Sequence, residues 1–341
     1  MEEVPVLRSR YSLAAVALTV STVFTACSSS PHAPEEKYYL VSSNIKIPYW
    51  QTAGHGLVRA GTDLQVRAQV VGPDTYDRQA EQQELHRLLS LQEKPSGILV
   101  SPADPDLMKP DIDAAVDASI PVITVDSDAP GSKRLLFIGT NNYQAGLMAG
   151  RYAAKLLQGK GNVVVFTMPG QANLAERLRG YREAFADNPQ IKIADVVDIK
   201  GDPRIAFDAA TEIVEKRREK VDAFVCLEAL AGKEVADVLD RNKVKGKTVV
   251  AMDTDEGTLN WIQKGVINAT VAQKPFTMAY YGVKMLDDLH HHKPPALSLD
   301  WARDPFSLLP TFVDTGATLI DKNNIDDFIK ARDAARQDKK S

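Results

Sequence analysis

The sequence predicts an α/β protein of two doubly wound, Rossmann-like lobes joined by a three-segment hinge, and three observations carry that expectation. Val122-Ile123-Thr124-Val125-Asp126-Ser127-Asp128 and Val249-Val250-Ala251-Met252-Asp253-Thr254-Asp255 nearly repeat one another, with their first aspartates 127 positions apart. From Tyr38 onward, short apolar runs alternate with longer stretches of helical period, the pattern of a parallel sheet covered by helices on both faces. The length, 341 residues at 44% hydrophobic and 25% charged, is enough to fill two cores. Each repeat is a β-branched run that stops in acid-hydroxyl-acid, as expected where a buried parallel strand opens into a polar crevice. Ligands of open α/β sheets gather beyond those carboxyl ends, so Asp126 and Asp253 would face one cleft. For a single strand, capping of the next helix or turn explains the aspartate as well. Repetition of the whole pattern favours the cleft.

The elements follow in order. Strands are expected at 38–42, 65–71, 97–100, 121–125 and 135–138, with helices at 48–62, 77–92 and 107–118. Pro48 sits at a helix start, where proline is well tolerated. After Gly139 come helix 143–158, strand 162–167, helix 173–187, strand 191–199, helix 203–219 and strand 223–227. Helix 230–242, strand 248–252, helix 257–264 and strand 268–273 complete that set. An amphipathic helix from Phe276 to Leu289, a Pro-rich passage to Pro310 and a short element around 312–320 read as returns to the two lobes. The chain would cross between lobes near Gly139, near Gln273 and again near 300–310. The expected division is therefore 37–140 with 274–305, and 141–273 with 306–335, followed by a disordered tail at 336–341. Parallel crossings allow closure and restrain twist.

The amino terminus sets the compartment. Arg8 and Arg10 precede an uncharged stretch, 11–26, that is shorter than a membrane span and ends Phe24-Thr25-Ala26-Cys27. Residues 1–26 read as a signal peptide, with Cys27 as the lipidated first residue of the exported protein; an ordinary secretory signal with an incidental cysteine is the alternative. Residues 27–36 hold little that could pack and read as a solvated tether. The net charge of −4 and the absence of a basic face argue against a nucleic-acid partner. Cys226, embedded in Ala223-Phe224-Val225-Cys226-Leu227, is expected to be a small buried apolar residue.

Leu40-Val41-Ser42-Ser43 followed by Pro48-Tyr49-Trp50, Gly97-Ile98-Leu99-Val100-Ser101-Pro102 and Ile120-Pro121-Val122-Ile123-Thr124-Val125-Asp126 stand in the first half. Arg177-Leu178-Arg179-Gly180, Met252-Asp253 and Thr270-Val271-Ala272-Gln273 stand in the second. In their order and spacing these landmarks resemble the substrate-binding proteins of bacterial sugar ABC importers, the ribose-binding-like, type I periplasmic fold. The resemblance implies a monomeric, non-enzymatic sugar receptor, lipid-anchored in the periplasm or on the cell surface, that serves a membrane permease without a cofactor or metal. It implies that Tyr49 and Trp50 stack on the sugar ring, whose C–H face suits a flat aromatic. Asp126 and Asp253 would accept hydroxyl hydrogens, Arg177 would cross the cleft and donate in a fork, and Gln273 would serve at the hinge. Ser43 and Ser101 occupy positions that line the pocket in such proteins, or they are plain turn formers. The chain departs from ribose binders at Ile47, Ser127, Leu227-Glu228 and Asp202. Glu228 is the expected substitute acceptor, and another pentose, a hexose or a polyol the expected ligand.

Other motifs carry less. Gly54-His55-Gly56 lacks the third glycine of a dinucleotide loop. His290-His291-His292 occupy consecutive helical positions that cannot converge on one ion, and a solvated helix end is expected; His32, His55 and His86 show no ligand spacing. Asp321–Asp326 lacks the glycine turn and distal glutamate of a calcium loop. Three rival functions share parts of the pattern: a glycosidase using the two aspartates, a repressor effector domain, and a sensor that presents its closed form to a receptor kinase. Against the glycosidase, Arg177 is expected to keep both acids ionised. Replacing Arg177 or Asp253 with alanine is expected to abolish binding and leave stability unchanged.

Overall fold

The computed structural model describes residues 32, 33, 35–293 and 301–337. The expected signal peptide 1–26, the lipidation site Cys27 and residues 338–341 of the expected tail lie outside them. Among the described residues, no helix is long and apolar enough to cross a membrane.

The first half of the chain runs β1 (Lys37–Ser42), α1 (Pro48–Leu64), β2 (Arg67–Val71), α2 (Arg78–Leu89), β3 (Gly97–Ser101), α3 (Pro105–Asp117), β4 (Val122–Val125) and β5 (Leu136–Gly139). The second runs α4 (Asn142–Leu156), β6 (Lys160–Thr167), α5 (Ala172–Ala186), β7 (Gln190–Asp198), α6 (Pro203–Arg217), β8 (Ala223–Cys226), α7 (Ala231–Arg241), β9 (Thr248–Met252), α8 (Glu256–Gln263) and β10 (Ala269–Ala272). Local chemistry sets the helix starts. Asp77, Asp104, Asn141 and Asp255 each accept a backbone N–H from the first turn they precede, and proline opens α1 and α3.

The closing elements are α9 (Pro275–His291), β11 (Phe312–Asp314), β12 (Thr318–Asp321) and α10 (Ile325–Gln337). The first sheet has the order β11-β5-β4-β3-β1-β2 and the second β12-β10-β9-β8-β6-β7, so the two lobes share one topology. All pairings are parallel except β10 with β12. In the first lobe, alternation along the strands splits the core: Leu40 and Leu99 pack with α1 and α9, while Val41, Ile98 and Val100 pack with α2 and α3. In the second, one continuous core runs from Val163 and Phe224 to Ile320, and Cys226 is buried in it.

Three boundaries differ from expectation. The element at 312–320 is two strands in different sheets, so the last crossing falls at 315–317 and not near 300–310: β11 pairs with β5 in the first sheet, β12 with β10 in the second. Helix α10 was not foreseen and runs to Gln337, past the expected start of the tail at 336. Glu36 does not belong to a solvated tether as expected, because it is buried and bonded to His291.

The internal repeat is structural. Asp126 and Asp253 stand at the tips of β4 and β9 with φ of 64° and 67°, and each donates its N–H to the next strand, to Ile138 O at 3.1 Å and Val271 O at 2.9 Å. A left-handed conformation is uncommon outside glycine, although aspartate tolerates it better than most. It turns the chain sharply, so both carboxyls project from the carboxyl edges of the sheets.

Helix α5, which carries Arg177, is set by a close crossing with α4. A Cβ at Gly180 would lie 2.2 Å from Tyr143 O, and one at Gly146 would lie 2.1 Å from Arg177 O. Gly180→Ala should therefore push α5 off α4, destabilise the protein by about 1–3 kcal/mol in urea unfolding, and weaken ligand binding by displacing Arg177. Unchanged stability would show that the crossing relaxes freely.

Candidate functional site

All nine residues singled out for the site, Ser43, Tyr49, Trp50, Ser101, Asp126, Arg177, Glu228, Asp253 and Gln273, line one cleft between the lobes. The first lobe supplies the loop after β1, the start of α1 and the ends of β3 and β4. The second supplies α5, the ends of β8 and β9, and the hinge strand β10.

Arg177 is the centre of the arrangement and is only 3% exposed. Its Nε donates to Asn142 Oδ1 at 2.8 Å, Nη1 to the Leu227 carbonyl at 2.7 Å and Nη2 to Gln273 Oε1 at 2.8 Å. Gln273 Nε2 in turn donates to Asp253 Oδ1 at 2.9 Å. Three of five guanidinium hydrogens are thus committed and two remain. Arg177 does not cross the cleft as expected: its bonds go to its own lobe and to the two hinge segments at Asn142 and Gln273.

Asp126 is held from both lobes. Tyr49 Oη donates to Oδ1 at 2.6 Å, and Asn173 Nδ2, one helical turn before Arg177 on α5, donates to Oδ2 at 3.2 Å. The capping explanation fails for Asp253, since the N-cap of α8 is Asp255, bonded to the N–H groups of Gly257 and Thr258. Trp50 lies edge-on to Tyr49 with ring centroids 5.1 Å apart, and it also belongs to the first lobe's core. Glu228 lines the cleft and also caps the start of α7: its two oxygens accept the N–H groups of Leu230 at 2.5 Å and Ala231 at 2.9 Å, one bond on each oxygen. Asp202, the departure noted in the sequence, pairs with Arg204 and is not among the residues that line the cleft.

Sequence reasoning missed several lining residues, among them Tyr76, Gln171, Asn173 and Gly201. Tyr76 Oη accepts from Gln171 Nε2 at 3.2 Å across the cleft, and the Tyr76 ring covers Gly201, where a Cβ would lie 2.4 Å from Cγ. These contacts, with Asn173 on Asp126, bring the lobes together. For Asn173 a signal existed, its i−4 spacing from Arg177 on one helix face; for Tyr76 and Gly201 none did. Ser127 Oγ is buried in the cleft wall with no hydrogen-bond partner, which singles it out among the lining hydroxyls.

The electrostatics overturn one expectation. Burial pushes Asp253 up to about 7, against the pull of Arg177 and the Gln273 amide, and pushes Glu228 up to about 7 despite its two backbone donors. Asp126 is raised as well, burial outweighing Arg177, Tyr49 and Ser101. One guanidinium therefore does not hold Asp253 or Glu228 fully ionised at neutral pH.

Residues 38–294 match the family model described as the periplasmic binding protein domain. The arabinose-binding protein AraP from Geobacillus stearothermophilus is 35% identical, covers 86% of this chain and 99% of its own, and superposes with a TM-score of 0.71. The D-allose-binding periplasmic protein of Escherichia coli is 25% identical over 74% of this chain and 84% of its own. XylFII, solved in a complex with LytSN, is 26% identical over 86% of this chain and 99% of its own, with a TM-score of 0.74. With the doubled topology and the shared cleft, these likenesses assign the chain to the periplasmic binding proteins of the type I, ribose-binding-like family.

Proposed function

We propose that the chain is the substrate-binding lipoprotein of a sugar ABC importer, taking a small monosaccharide or polyol into the interlobe cleft and delivering it to a membrane permease. The observation that carries this reading is the pair of strand-tip acids, Asp126 and Asp253, aimed from opposite lobes into one buried cleft around Arg177. A sugar needs acceptors for its hydroxyl hydrogens, donors for its oxygens and an apolar wall for its C–H face. Asp126, Asp253 and Gln273 offer acceptors, the two uncommitted hydrogens of Arg177 and the hydroxyls of Ser101 and Ser127 offer donors, and Tyr49 and Trp50 offer the wall. Glu228 supports α7 and the field of the site more than it touches the guest. Cys27 would anchor the exported protein, with its body outside the cytoplasm.

A second reading is that the closed form is presented to a membrane receptor kinase instead of a permease; the XylFII relative, solved in complex with the protein LytSN, is the observation that favours it. Uptake of labelled sugar in a strain lacking this chain separates the two, since transport fails under the first reading and continues under the second. The glycosidase reading is weaker, because each oxygen of Asp126 already accepts one hydrogen bond, from Tyr49 and from Asn173, an arrangement that suits holding a hydroxyl hydrogen in place more than transferring a proton. Incubation with aryl glycosides should give no turnover.

A thermal-shift panel of pentoses, hexoses and polyols should yield at least one stabilising ligand. At about one hundred times its dissociation constant that ligand adds roughly 2.7 kcal/mol, and Asp253→Asn should remove most of the shift. A panel with no hit would sink the sugar reading. Arg177→Ala should also abolish binding, and here the structure revises the sequence expectation of unchanged stability. Emptying a buried guanidinium site leaves Asn142, Leu227 and Gln273 without a donor and should lower stability by about 3 kcal/mol or more.

The raised acids set a pH dependence in the ligand-free protein. Asp253 and Glu228 move from ordinary values of 3.8 and 4.5 to about 7, so the folded state holds protons that the unfolded state has released. Stability from these groups is complete below about pH 4 and is lost as pH rises toward 7. Urea midpoints measured across that window should fall for the native chain and fall less steeply for an Asp253→Asn, Glu228→Gln double variant. Equal slopes would refute the assignment.

A further inference from the structure

We infer that the protein has a second binding site, for one divalent transition cation such as Zn2+, formed by His32, Glu36, Asp287 and His291 at the amino-terminal edge of the first lobe. The four residues come as two pairs of i,i+4 spacing. His32 and Glu36 stand on the segment entering β1, and Asp287 and His291 share one face of the last turns of α9.

The geometry is that of a ligand set. Among the described residues these are the His, Asp and Glu side chains that offer three or more ligand atoms to a common point, all four atoms lying within 4.8 Å of one another. His32 Nε2 is 3.0 Å from Asp287 Oδ1, His291 Nε2 is 3.0 Å from Glu36 Oε2, and His291 Nε2 is 3.7 Å from Asp287 Oδ1. Zinc bonds of about 2.0–2.1 Å in a tetrahedron place neighbouring ligand atoms about 3.4 Å apart, close to all three separations. The side chains of His32, Glu36 and Asp287 are 8%, 6% and 14% exposed, and that of His291 is 31% exposed. The cluster is therefore largely screened from bulk water and open on one side, unlike surface acids scattered over a helix.

Supporting contacts orient the donors. Glu36 Oε1 accepts the Ala33 N–H at 2.6 Å, which leaves Oε2 for the shared centre, and Tyr38 Oη donates to Asp287 Oδ1 at 3.2 Å. The His32 and His291 rings meet edge-on with centroids 5.0 Å apart. Two imidazoles with two carboxylates suit zinc, cobalt or nickel; magnesium and calcium prefer oxygen ligands alone. The carboxylate charges balance the dication. The three consecutive histidines do diverge: His290 meets Tyr38 edge-on, His291 faces Glu36, and His292 pairs with Asp288. The second imidazole comes instead from His32, a partner 259 positions away. Bound metal would fasten the segment entering β1 to the end of α9.

The test uses the full-length chain in mild detergent, purified through a tag without histidine and carrying Cys27→Ala so that no leader thiol competes. Calorimetry with Zn2+ should give one equivalent, and Co2+ should give the intense visible bands of a tetrahedral N/O site. His32→Ala and His291→Gln should each weaken binding by more than the roughly 10- to 100-fold that follows loss of a supporting hydrogen bond, while Tyr38→Phe should fall within that range. His292→Ala should leave binding unchanged. A stoichiometry of zero, binding that survives both His32→Ala and His291→Gln, or binding abolished by His292→Ala would overturn the site, and circular dichroism of each variant guards against loss of fold. Sugar binding at the cleft is read separately, so failure of either site is distinguishable from failure of the other.

Discussion

One buried guanidinium, that of Arg177, faces three buried carboxylates, and the rest of the cleft is arranged around that imbalance. The charge is fixed by groups that belong to the hinge as much as to the pocket: Asn142 follows the first crossing between lobes, and Gln273 precedes the second. The same hydrogen bonds that orient the cation therefore tie it to the segments about which the lobes turn. Asp253 feels the cation through the Gln273 amide, whereas Asp126, from the other lobe, is reached by Tyr49 and Asn173. A single positive charge does not offset the burial of all three acids. Burial consequently wins at Asp253 and Glu228 and leaves them near 7.

The doubled fold explains how two acids came to face one another. Each lobe ends its third sheet-central strand in the same left-handed aspartate, with the same backbone bond to the neighbouring strand. After that residue the copies part. Asp128 receives Thr124 and a bidentate Arg134, bracing the loop beyond β4, while Asp255 caps α8. The first acid of each repeat keeps its place in the lining of the cleft. The third has been turned to the structure of its own lobe.

Which features were legible in the sequence follows from how far apart the interacting residues lie. Strands such as Val122–Val125 and Thr248–Met252 announce themselves because β-branched runs buried on both faces have no other comfortable home. The strand-tip acids were legible through repetition, and Arg177 through its likeness to a known landmark. Glu228 was legible as an acid of the cleft, whereas its duty to the N–H groups of Leu230 and Ala231 was not. Tyr76 against Gly201, and His32 with His291, could not be read at all. Those pairings depend on loop paths and on a helix end brought to the first strand, which no local spacing encodes. The splitting of 312–320 between two sheets was hidden for the same reason, since β11 and β12 are short and differ only in which neighbour accepts them.

In the sugar receptor proposed above, closure and ligand binding would be coupled through the same electrostatics. Bringing the lobes together through Tyr76, Gln171, Asn173 and Asp126 removes water from the acids, and in the absence of a guest that burial disfavours their ionised forms. A polyhydroxylated guest supplies the missing donors inside the closed cleft and favours the charged carboxylates again. The guest thus interacts more strongly with the closed arrangement than with an open one, whose acids are already hydrated. That difference is what a ligand requires to shift a two-state equilibrium. An apolar cleft of the same shape would close with or without its occupant, whereas one lined by under-compensated acids reports whether the occupant is present.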